Sequence, residues 1–600
     1  MNKILLTNEE IQSNTIFNFI WNSYKENKNS LSLVKFIDKN SSIYKKKILN
    51  QLQSTYSEIY KNKTLNKKFL IGDNFNFLDT FLISEKSFYK DKYDNLSDLV
   101  KCLALIDQIK SLKIDEIVFN IHNENVYNFL KDYCEISKIK LTIPKKTLYK
   151  FFHLKIKFYS KLIYSFLSFF KFLYLRIKIP KSKKISFNIK NIFLDYFCYF
   201  DDKKFKSGEY VSNYWGNLLK KKRYKKGILF FHIFIENNKL KTNDLSKFIN
   251  NLNRKKGEKH FIIDSILNFK IVFLMYKKWL YFLINIINIK TEIKNSLNRK
   301  NKIFHNLIKN SITENLIGFN SLLNLYYHYL FDSLFKKLKD TNNKNIFYLC
   351  ENQGWEKSLL SFIDRDRKKK IKVYPIISTP IRFWDLRYNF LKSELKKIHK
   401  KIEKICVMSP LSKKILQKNN IDRNKILIVE SLRYENLFQK HLELKKVKKD
   451  KSILIIGDYL KSINNNMENF IIKLLQRNKE INVIAKPHPI EKFSKKFTNI
   501  PRVKISNKNL NKLSLKTNFC ICSNMTSASY DLYYLNFRIL ILLAGDSINF
   551  SPLKNIKGVE YVSKFDDISI LKKDKNLNNL DFKKNAFLFN KNYKNWSKIL

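Results

Sequence analysis

Lys486-Pro487-His488-Pro489 and, about 35 residues later, the Ser-Asn-Met-Thr-Ser-Ala-Ser stretch at 523–529 decide the expected fold. Each stretch directly follows a short apolar run, at 481–484 or 519–522, that is typical of a buried parallel strand. In an open α/β sheet, the carboxyl ends of such strands form the crevice that binds ligands. Hydroxyls and free N–H groups at the start of a helix bind anions. These two stretches therefore predict a site for a phosphate or diphosphate.

Alternation of apolar runs with helical patterns continues through most of the chain and favours parallel α/β sheets. We expect an α/β protein with two Rossmann-like domains facing a cleft, a small N-terminal α/β unit and amphipathic helices. The predicted division is 1–147 (N-terminal unit), 148–182 (basic aromatic segment), 183–440 (first Rossmann-like domain) and 450–600 (second Rossmann-like domain), with the charged stretch 441–451 as the linker.

Composition argues against several function classes. The net charge is +63, yet only 13 of the 115 basic residues are arginine, which indicates a lysine-rich solvated surface rather than a nucleic-acid site. The 7 cysteines lack metal-ligand spacing, so we expect a reduced protein in the cytoplasm with no resident metal or cofactor. No P-loop, GxGxxG or GxSxG pattern occurs, which argues against nucleoside triphosphatases, dinucleotide oxidoreductases and serine hydrolases.

Residues 149–179 interleave lysines with aromatic and aliphatic side chains, and a second such stretch spans 271–289. The longest uncharged run of the first, 162–170, is far shorter than the ~20 residues that cross a bilayer. The composition fits helices that lie in an anionic membrane interface, and two ordinary core helices are the alternative. We expect neither stretch to span a membrane.

His488 is the central candidate site residue of the second Rossmann-like domain. Flanking prolines restrict its backbone, and its imidazole could donate a hydrogen bond to a leaving phosphate or carry positive charge against it. A turn-capping histidine and ordinary N-capping of a helix that begins near Thr526 are the alternatives. The candidate phosphate ligands are Ser523, Asn524, Thr526, Ser527, Ser529 and, across the hinge, Arg433. The candidates for the donor sugar or base are Gly457, Asp458, Asn549 and Ser551.

Glu351 is the first candidate for a general base, because it follows an expected strand of the other domain. Glu356 is the second candidate, although it could equally complement a helix dipole. Asp385 is a third, unless it pairs with its neighbouring arginines, and Glu209 is held in reserve. The acceptor-side candidates are Trp355, Arg382, Trp384, Asp385 and Arg387.

Several motifs together resemble those of bacterial surface carbohydrate (O-antigen) biosynthesis proteins. The motifs are 351–356 (Glu-Asn-Gln-Gly-Trp-Glu), 382–385 (Arg-Phe-Trp-Asp), 457–459 (Gly-Asp-Tyr), 486–489, 523–527 and 549–553. The His-Pro and serine motifs are more distantly similar to those of capsular polysialyltransferases, capsular Kdo transferases and teichoic-acid glycerophosphotransferases. The similarity covers about residues 340–565, and the chain has Asn524 where the polysialyltransferases have a second serine.

The resemblance implies a metal-independent glycosyltransferase of the GT-B type that uses a cytidine nucleotide donor. It implies that His488 contacts the donor phosphate and that Ser523, Thr526 and Ser527 surround it. We therefore expect a transferase of O-antigen, capsule or lipopolysaccharide biosynthesis, peripheral to the inner face of the cytoplasmic membrane. A nucleotide-sugar would be the donor and a lipid-linked glycan the acceptor. The alternatives are a CDP-linked glycerophospho- or sugar-phosphate transferase and a non-catalytic assembly protein at the membrane.

Overall fold

The computed structural model describes residues 3–8, 17–72, 75–87, 96–181, 189–198, 200–201, 204–205, 208–218, 227–236, 240–254, 258–338, 344–363, 371–390, 394–395, 400–437, 452–508, 510, 519–543, 547–563 and 580–600. The linker predicted at 441–451 lies outside these residues.

The N-terminal unit is built on a five-stranded parallel sheet in the order β3-β2-β1-β6-β7. In chain order its elements are β1 (Lys3–Thr7), β2 (Phe17–Ile20), β3 (Ser30–Ser32), α1 (Leu33–Lys39), α2 (Ser41–Lys61), α3 (Lys63–Phe69), β4 (Leu70–Ile71), β5 (Phe75–Asn76), α4 (Leu78–Lys86), α5 (Leu96–Ser111), β6 (Glu116–Asn120), α6 (Glu124–Ser137) and β7 (Lys140–Thr142). Strands β4 and β5 form a separate antiparallel pair.

The second sheet has seven parallel strands in the order β10-β9-β8-β11-β12-β13-β14. Its elements, together with the helices inserted before and within them, are α7 (Lys145–Ile177), β8 (Asn191–Phe197), β9 (Ile228–Phe234), α8 (Leu245–Asn253), β10 (Glu258–Ile262), α9 (Phe269–Ile284), α10 (Ile286–Asn295), α11 (Arg299–Ile317), α12 (Phe319–Lys337), β11 (Lys344–Leu349), α13 (Gly354–Ile363), β12 (Ile371–Ile377), β13 (Ile405–Val407), α14 (Pro410–Lys418) and β14 (Ile426–Ile428).

The third sheet has six parallel strands in the order β17-β16-β15-β18-β19-β20. Its elements are β15 (Ser452–Ile456), α15 (Lys461–Arg477), β16 (Asn482–Lys486), α16 (Lys495–Thr498), β17 (Val503–Ile505), β18 (Phe519–Ser523), α17 (Ala528–Tyr534), β19 (Arg538–Leu542), β20 (Glu560–Val562) and the later helix α18 (Leu580–Ala586). The chain then returns to the second sheet, where Trp596 is buried and its ring N–H donates to the carbonyl of Glu430 at 3.1 Å.

Both larger sheets start from a central strand, add two strands on one side and then add the rest on the other. This is the strand order of the doubly wound Rossmann fold, which places the ligand crevice where the order reverses. The α/β prediction with two Rossmann-like domains and an additional N-terminal α/β unit is therefore confirmed. The reversal lies between β8 and β11 in one sheet and between β15 and β18 in the other.

The aromatic segment forms one long helix, α7, which buries Phe151, Phe158, Phe169 and Leu173. Helix α9 packs beside it, with Phe166 and Trp279 stacked at 5.2 Å between ring centroids. Both helices also carry apolar side chains on the outside. No single described helix is long and apolar enough to cross a membrane, whereas α9 and α10 together, bent by 63°, meet that criterion by length and composition.

Candidate functional site

Two residues that follow β15, Gly457 and Asp458, lie beside Ser523, the last residue of β18, at the reversal of the third sheet. The buried Asp458 carboxylate accepts hydrogen bonds from the Ser523 hydroxyl and, at 3.1 Å, from the backbone N–H of Leu460. Burial raises the pKa of Asp458, while the Ser523 hydrogen bond and the nearby His488 oppose that rise. Asp458 and Ser523 therefore form the floor of the crevice.

The hydroxyl cluster divides into a buried part and an open part. Ser523 Oγ accepts the backbone N–H groups of Met525 and Thr526, each at 3.2 Å, and Ser529 Oγ donates to the Thr526 carbonyl at 3.0 Å. These two hydroxyls and Asn524 are completely buried. Thr526 is half-buried and Ser527, at the N-cap of α17, is exposed. Only Thr526 and Ser527 of the predicted cluster thus present hydroxyls to the crevice.

His488 is half-buried just beyond β16, and a local hydrogen bond sets its tautomer. The backbone N–H of Ile490 donates to Nδ1 at 3.2 Å, so the neutral ring carries its proton on Nε2. Burial lowers the pKa of His488, and Asp458 opposes that change. The neutral imidazole therefore keeps one N–H available to donate to a ligand.

The glycine at position 457 allows the His488 loop to pack closely against the end of β15. A Cβ at this position would lie 3.1 Å from the His488 backbone nitrogen and 3.0 Å from the Phe493 ring. The Gly457 N–H also donates to the Lys486 carbonyl at 2.9 Å. The end of β15 and the His-Pro turn can approach this closely because residue 457 has no side chain.

Glu351 lies at the reversal of the second sheet and is the half-exposed carboxylate of the turn after β11. Its carboxylate makes no hydrogen bond to any described residue. Burial raises its pKa, and the positive charges of Arg387 and Arg433 partly offset that rise. The neighbouring Asn352 has a left-handed backbone with φ of 52°, a conformation that asparagine adopts more readily than most other residues and that turns the chain after β11. The turn therefore presents a carboxylate of raised basicity.

Glu356 has a different environment. Its buried carboxylate accepts the backbone N–H groups of Glu351 and Gln353, each at 2.9 Å. Burial raises its pKa to about 7. The Glu356 carboxylate thus stabilises the turn through these backbone hydrogen bonds and does not face the crevice.

The predicted acceptor-side residues mostly form the framework of the site. Asp385 and Arg387 form a bidentate ion pair with both contacts at 2.8 Å, and Arg387 also donates to the Glu351 carbonyl at 2.8 Å. Trp384 is completely buried. Trp355 lines the crevice wall and donates its ring N–H to the Tyr196 hydroxyl at 3.2 Å.

Arg382 connects the two Rossmann-like domains. Its guanidinium donates from Nη1 to the carbonyls of Met525 at 2.7 Å and Phe550 at 3.1 Å. Asn549 and Ser551, in the same loop as Phe550, are buried and accept backbone N–H groups two residues ahead at 3.0 and 3.1 Å. This loop packs on the N-terminal unit, where Lys554 pairs with Asp38 at 3.0 Å. The side chains of Asn549 and Ser551 therefore hold the loop itself.

Asp531 is a candidate site residue that the sequence patterns did not identify. It lies on α17 four residues after Ser527, a spacing that places both on one helix face. Burial raises its pKa to about 7, and Arg433 opposes that rise. Arg433 lies over the Tyr214 ring at 5.0 Å and is influenced by the charges of both Asp531 and Glu351. Its positive charge thus acts on carboxylates of both domains.

A cavity of about 470 Å³ occupies the cleft between the two carboxyl edges. Asn352, Trp355 and Arg387 line it from the second sheet, and Tyr459 and Leu460 line it from the third. The Tyr459 ring lies 6.1 Å from the His488 ring, so the cavity adjoins the crevice of the third sheet. No group of three or more His, Cys, Asp or Glu side chains among the described residues is arranged to hold a metal ion.

Two Rossmann-like domains with facing carboxyl edges define a GT-B-like architecture. No protein-family model matches this chain, and no curated protein matches it. It is similar to the UDP-GlcNAc 2-epimerase from Neisseria meningitidis bound to UDP-GlcNAc (10% identity, 68% of this chain and 96% of that chain, TM-score 0.36). It is also similar to the Methanocaldococcus jannaschii UDP-GlcNAc 2-epimerase in complex with UDP-GlcNAc and UDP (13%, 68% and 98%, 0.35) and to Anabaena HepE in complex with UDP and glucose (8%, 64% and 88%, 0.29). The fold assignment rests on the strand orders of this chain and not on these similarities.

Proposed function

We propose that the protein is a metal-independent glycosyltransferase of surface polysaccharide biosynthesis, acting in O-antigen or capsule assembly. A nucleotide-activated sugar is the donor, and a glycan hydroxyl is the acceptor. The observation that carries this proposal is that the carboxyl edges of the two larger sheets face each other, with His488 at one edge and Glu351 at the other. A cleft of this kind brings two substrates together and excludes water between them.

Glu351 would accept the proton of the acceptor hydroxyl, whose oxygen forms the new bond to the anomeric carbon as the bond to the donor phosphate breaks. The raised pKa of this carboxyl group makes it a stronger base, and Arg387 and Arg433 favour its ionised form. The negative charge that develops on the leaving phosphate would be stabilised by the Nε2–H of His488 and by Thr526 and Ser527. In this proposal the protein itself supplies the groups that balance the charge, so activity should persist in EDTA.

The first test is a thermal-shift series with CMP, CDP, UDP, GDP and TDP. A ligand at 100 times its dissociation constant stabilises the domain that binds it by about 2.7 kcal/mol. We expect a shift with one nucleotide family, with the cytidine nucleotides tested first, and its loss in His488→Ala. His153→Ala is the matched control, because His153 is exposed on α7 away from the crevice.

The outcomes of this series separate the alternatives. A shift lost in His488→Ala establishes the donor site, and transfer assays that release CMP from a CDP-linked donor would favour the glycerophospho- or sugar-phosphate transferase. Absence of a shift with every nucleotide, in folded protein with detergent present, would refute the enzyme and favour the non-catalytic assembly protein.

We further propose that the acceptor is lipid-linked and that α7 and α9 rest on the anionic inner face of the cytoplasmic membrane. Among the described side chains of α7, nine large apolar ones, each more than half exposed, follow one helix face: Tyr149, Ile156, Tyr159, Ile163, Tyr164, Leu167, Phe170, Tyr174 and Ile177. Phe269, Phe273, Ile284 and Ile287 do the same along α9 and the start of α10, and Leu280 on that face is nearly half exposed. Exposed lysines accompany both faces, at Lys146, Lys171, Lys178, Lys270 and Lys277. Aromatic faces bordered by lysines suit an anionic lipid surface.

Sedimentation with vesicles tests this surface. The double variant Ile163→Glu with Phe170→Glu should bind phosphatidylglycerol vesicles at least tenfold more weakly than the wild type. Ile136→Glu, at a single exposed isoleucine of α6, should bind like the wild type. Equal binding of the wild type to neutral phosphatidylcholine vesicles, or of the double variant to anionic ones, would contradict the membrane proposal.

A further inference from the structure

The cleft cavity has a third wall that lies outside the carboxyl edges of the two sheets. Helix α4 of the N-terminal unit and helices α11 and α12 supply it. The polar side chains of this wall are Thr80, Ser84, Ser311, Asn315, Asn320 and Asn324. Asn352 and Gln353, from the turn that carries Glu351, continue the same surface. The cavity is therefore lined chiefly by amides and hydroxyls where it faces away from the third sheet.

The charged side chains that line this cavity have partners within the protein. Lys161 of α7 pairs with Glu314 of α11 at 3.6 Å, and Arg387 is held by Asp385. Neutral amides, which can both donate and accept hydrogen bonds, thus supply most of the remaining polar capacity. Such a lining suits a neutral ligand with many hydroxyls better than a phosphate.

Two of these amides are buried without a hydrogen-bond partner. The Nδ2 atoms of Asn315 and Asn352 meet no acceptor among the described residues, and both residues line the cavity. A buried amide donor without a partner costs about 1–3 kcal/mol, so such groups are uncommon in folded proteins. Both Nδ2 atoms are buried from solvent, so hydroxyl oxygens of a bound ligand would satisfy them once the amide side chains rotate toward the cavity.

The third wall is also fixed in position relative to Glu351. Helix α12 presses against the start of α13, where a Cβ on Gly354 would lie only 2.2 Å from Asn324 Oδ1. Because Gly354 follows Glu351 by three residues, a ligand held by Asn320 and Asn324 would lie close to the turn that carries the proposed base. Tyr459, which also lines the cavity, lies beside the His488 ring.

We propose that this cavity is the acceptor site and that it binds neutral sugar residues of the acceptor glycan through Asn315, Asn320 and Asn352. The volume of about 470 Å³ lies within the range of small-molecule sites. Its designation as an acceptor site rests on the proposed transferase function. Sugar binding itself depends only on the amide wall.

Saturation-transfer NMR tests the site with three neutral probes: methyl β-D-glucopyranoside, methyl β-D-galactopyranoside and methyl N-acetyl-β-D-glucosaminide. Inorganic phosphate competes in a parallel sample. We expect transfer to at least one glycoside, unaffected by phosphate, and a loss of about tenfold in affinity in Asn315→Leu and in Asn320→Leu, as expected when an amide hydrogen bond is removed. Asn320 is exposed, so its substitution leaves the core intact.

Asn310→Leu is the matched control on α11. Its amide donates to Asn125 Oδ1 at 3.2 Å, and it does not line the cavity. This variant should bind the glycoside like the wild type. Absence of transfer to all three probes, or transfer that survives both Asn315→Leu and Asn320→Leu, overturns the inference. Nucleotide binding by the Asn320→Leu variant is measured separately, so failure of the sugar site and failure of the donor site give different results.

Discussion

Replacement of Glu356 by Gln distinguishes between the two carboxylates, Glu351 and Glu356, that are candidates for the general base. Gln Oε1 can still accept the N–H groups of Glu351 and Gln353, so the turn should keep its shape. The raised pKa of Glu356 means that the folded state favours its protonated form. The contribution of Glu356 to the free energy of unfolding is therefore fully present below its ordinary pKa of 4.5. This contribution is lost as the pH rises through about 7.

The size of the effect follows from this rise in pKa. At about 1.36 kcal/mol per pH unit, a change from 4.5 to about 7 corresponds to about 3 kcal/mol. Glu356→Gln should therefore gain up to ~3 kcal/mol of unfolding free energy over the wild type between pH 5 and pH 8. Urea unfolding at several pH values, followed through the transition of the second sheet, measures this difference.

Activity provides the second half of the same experiment. Glu356→Gln should retain sugar transfer, whereas Glu351→Gln should lose it by about 10²–10⁴-fold, the usual contribution of a general base. Loss of activity in Glu356→Gln with the turn intact, or a stability difference that does not change with pH, would refute the assigned roles.

Three further substitutions test other parts of the fold. Gly354→Ala should destabilise the second domain by about 1–3 kcal/mol because the new Cβ overlaps Asn324, and the added substitution Asn324→Ala should restore most of the loss in urea unfolding. Gly457→Ala should displace the His488 turn and weaken nucleotide binding in thermal-shift titrations, and unchanged binding would contradict the close approach. Burial lowers the pKa of His260 to about 4, so the stability that is present above pH 6.5 falls by about 3 kcal/mol as the pH decreases to 4, and His260→Gln should flatten this dependence in urea unfolding.

Short apolar runs followed by rare residue types were sufficient to predict the sheets and the crevice. A buried parallel strand needs a run of apolar side chains, and chain reversal at its carboxyl end needs residues such as Gly457 or Pro487. Local sequence therefore predicted the α/β class, the strand ends and the positions of His488 and Glu351 at those ends.

The direction of each side chain could not be read in the same way. Hydroxyls spaced as in 523–529 look equivalent along the chain, but Ser523 and Ser529 point into the protein while Thr526 and Ser527 face the crevice. Glu351 and Glu356 differ only in which side of one turn they occupy. These distinctions depend on packing against Asp458 and on the backbone N–H groups of the turn.

Sequence patterns were enough to predict two Rossmann-like domains, a small N-terminal α/β unit and two aromatic helices, because strand and helix periodicity are local properties. The wall of amides and hydroxyls that α4, α11 and α12 form along the cleft, and the influence of both Glu351 and Asp531 on Arg433, are visible only in the folded structure. Those contacts join residues far apart in the chain, and no spacing in the sequence encodes them. Folding brings them together because each helix must bury its apolar face against another element.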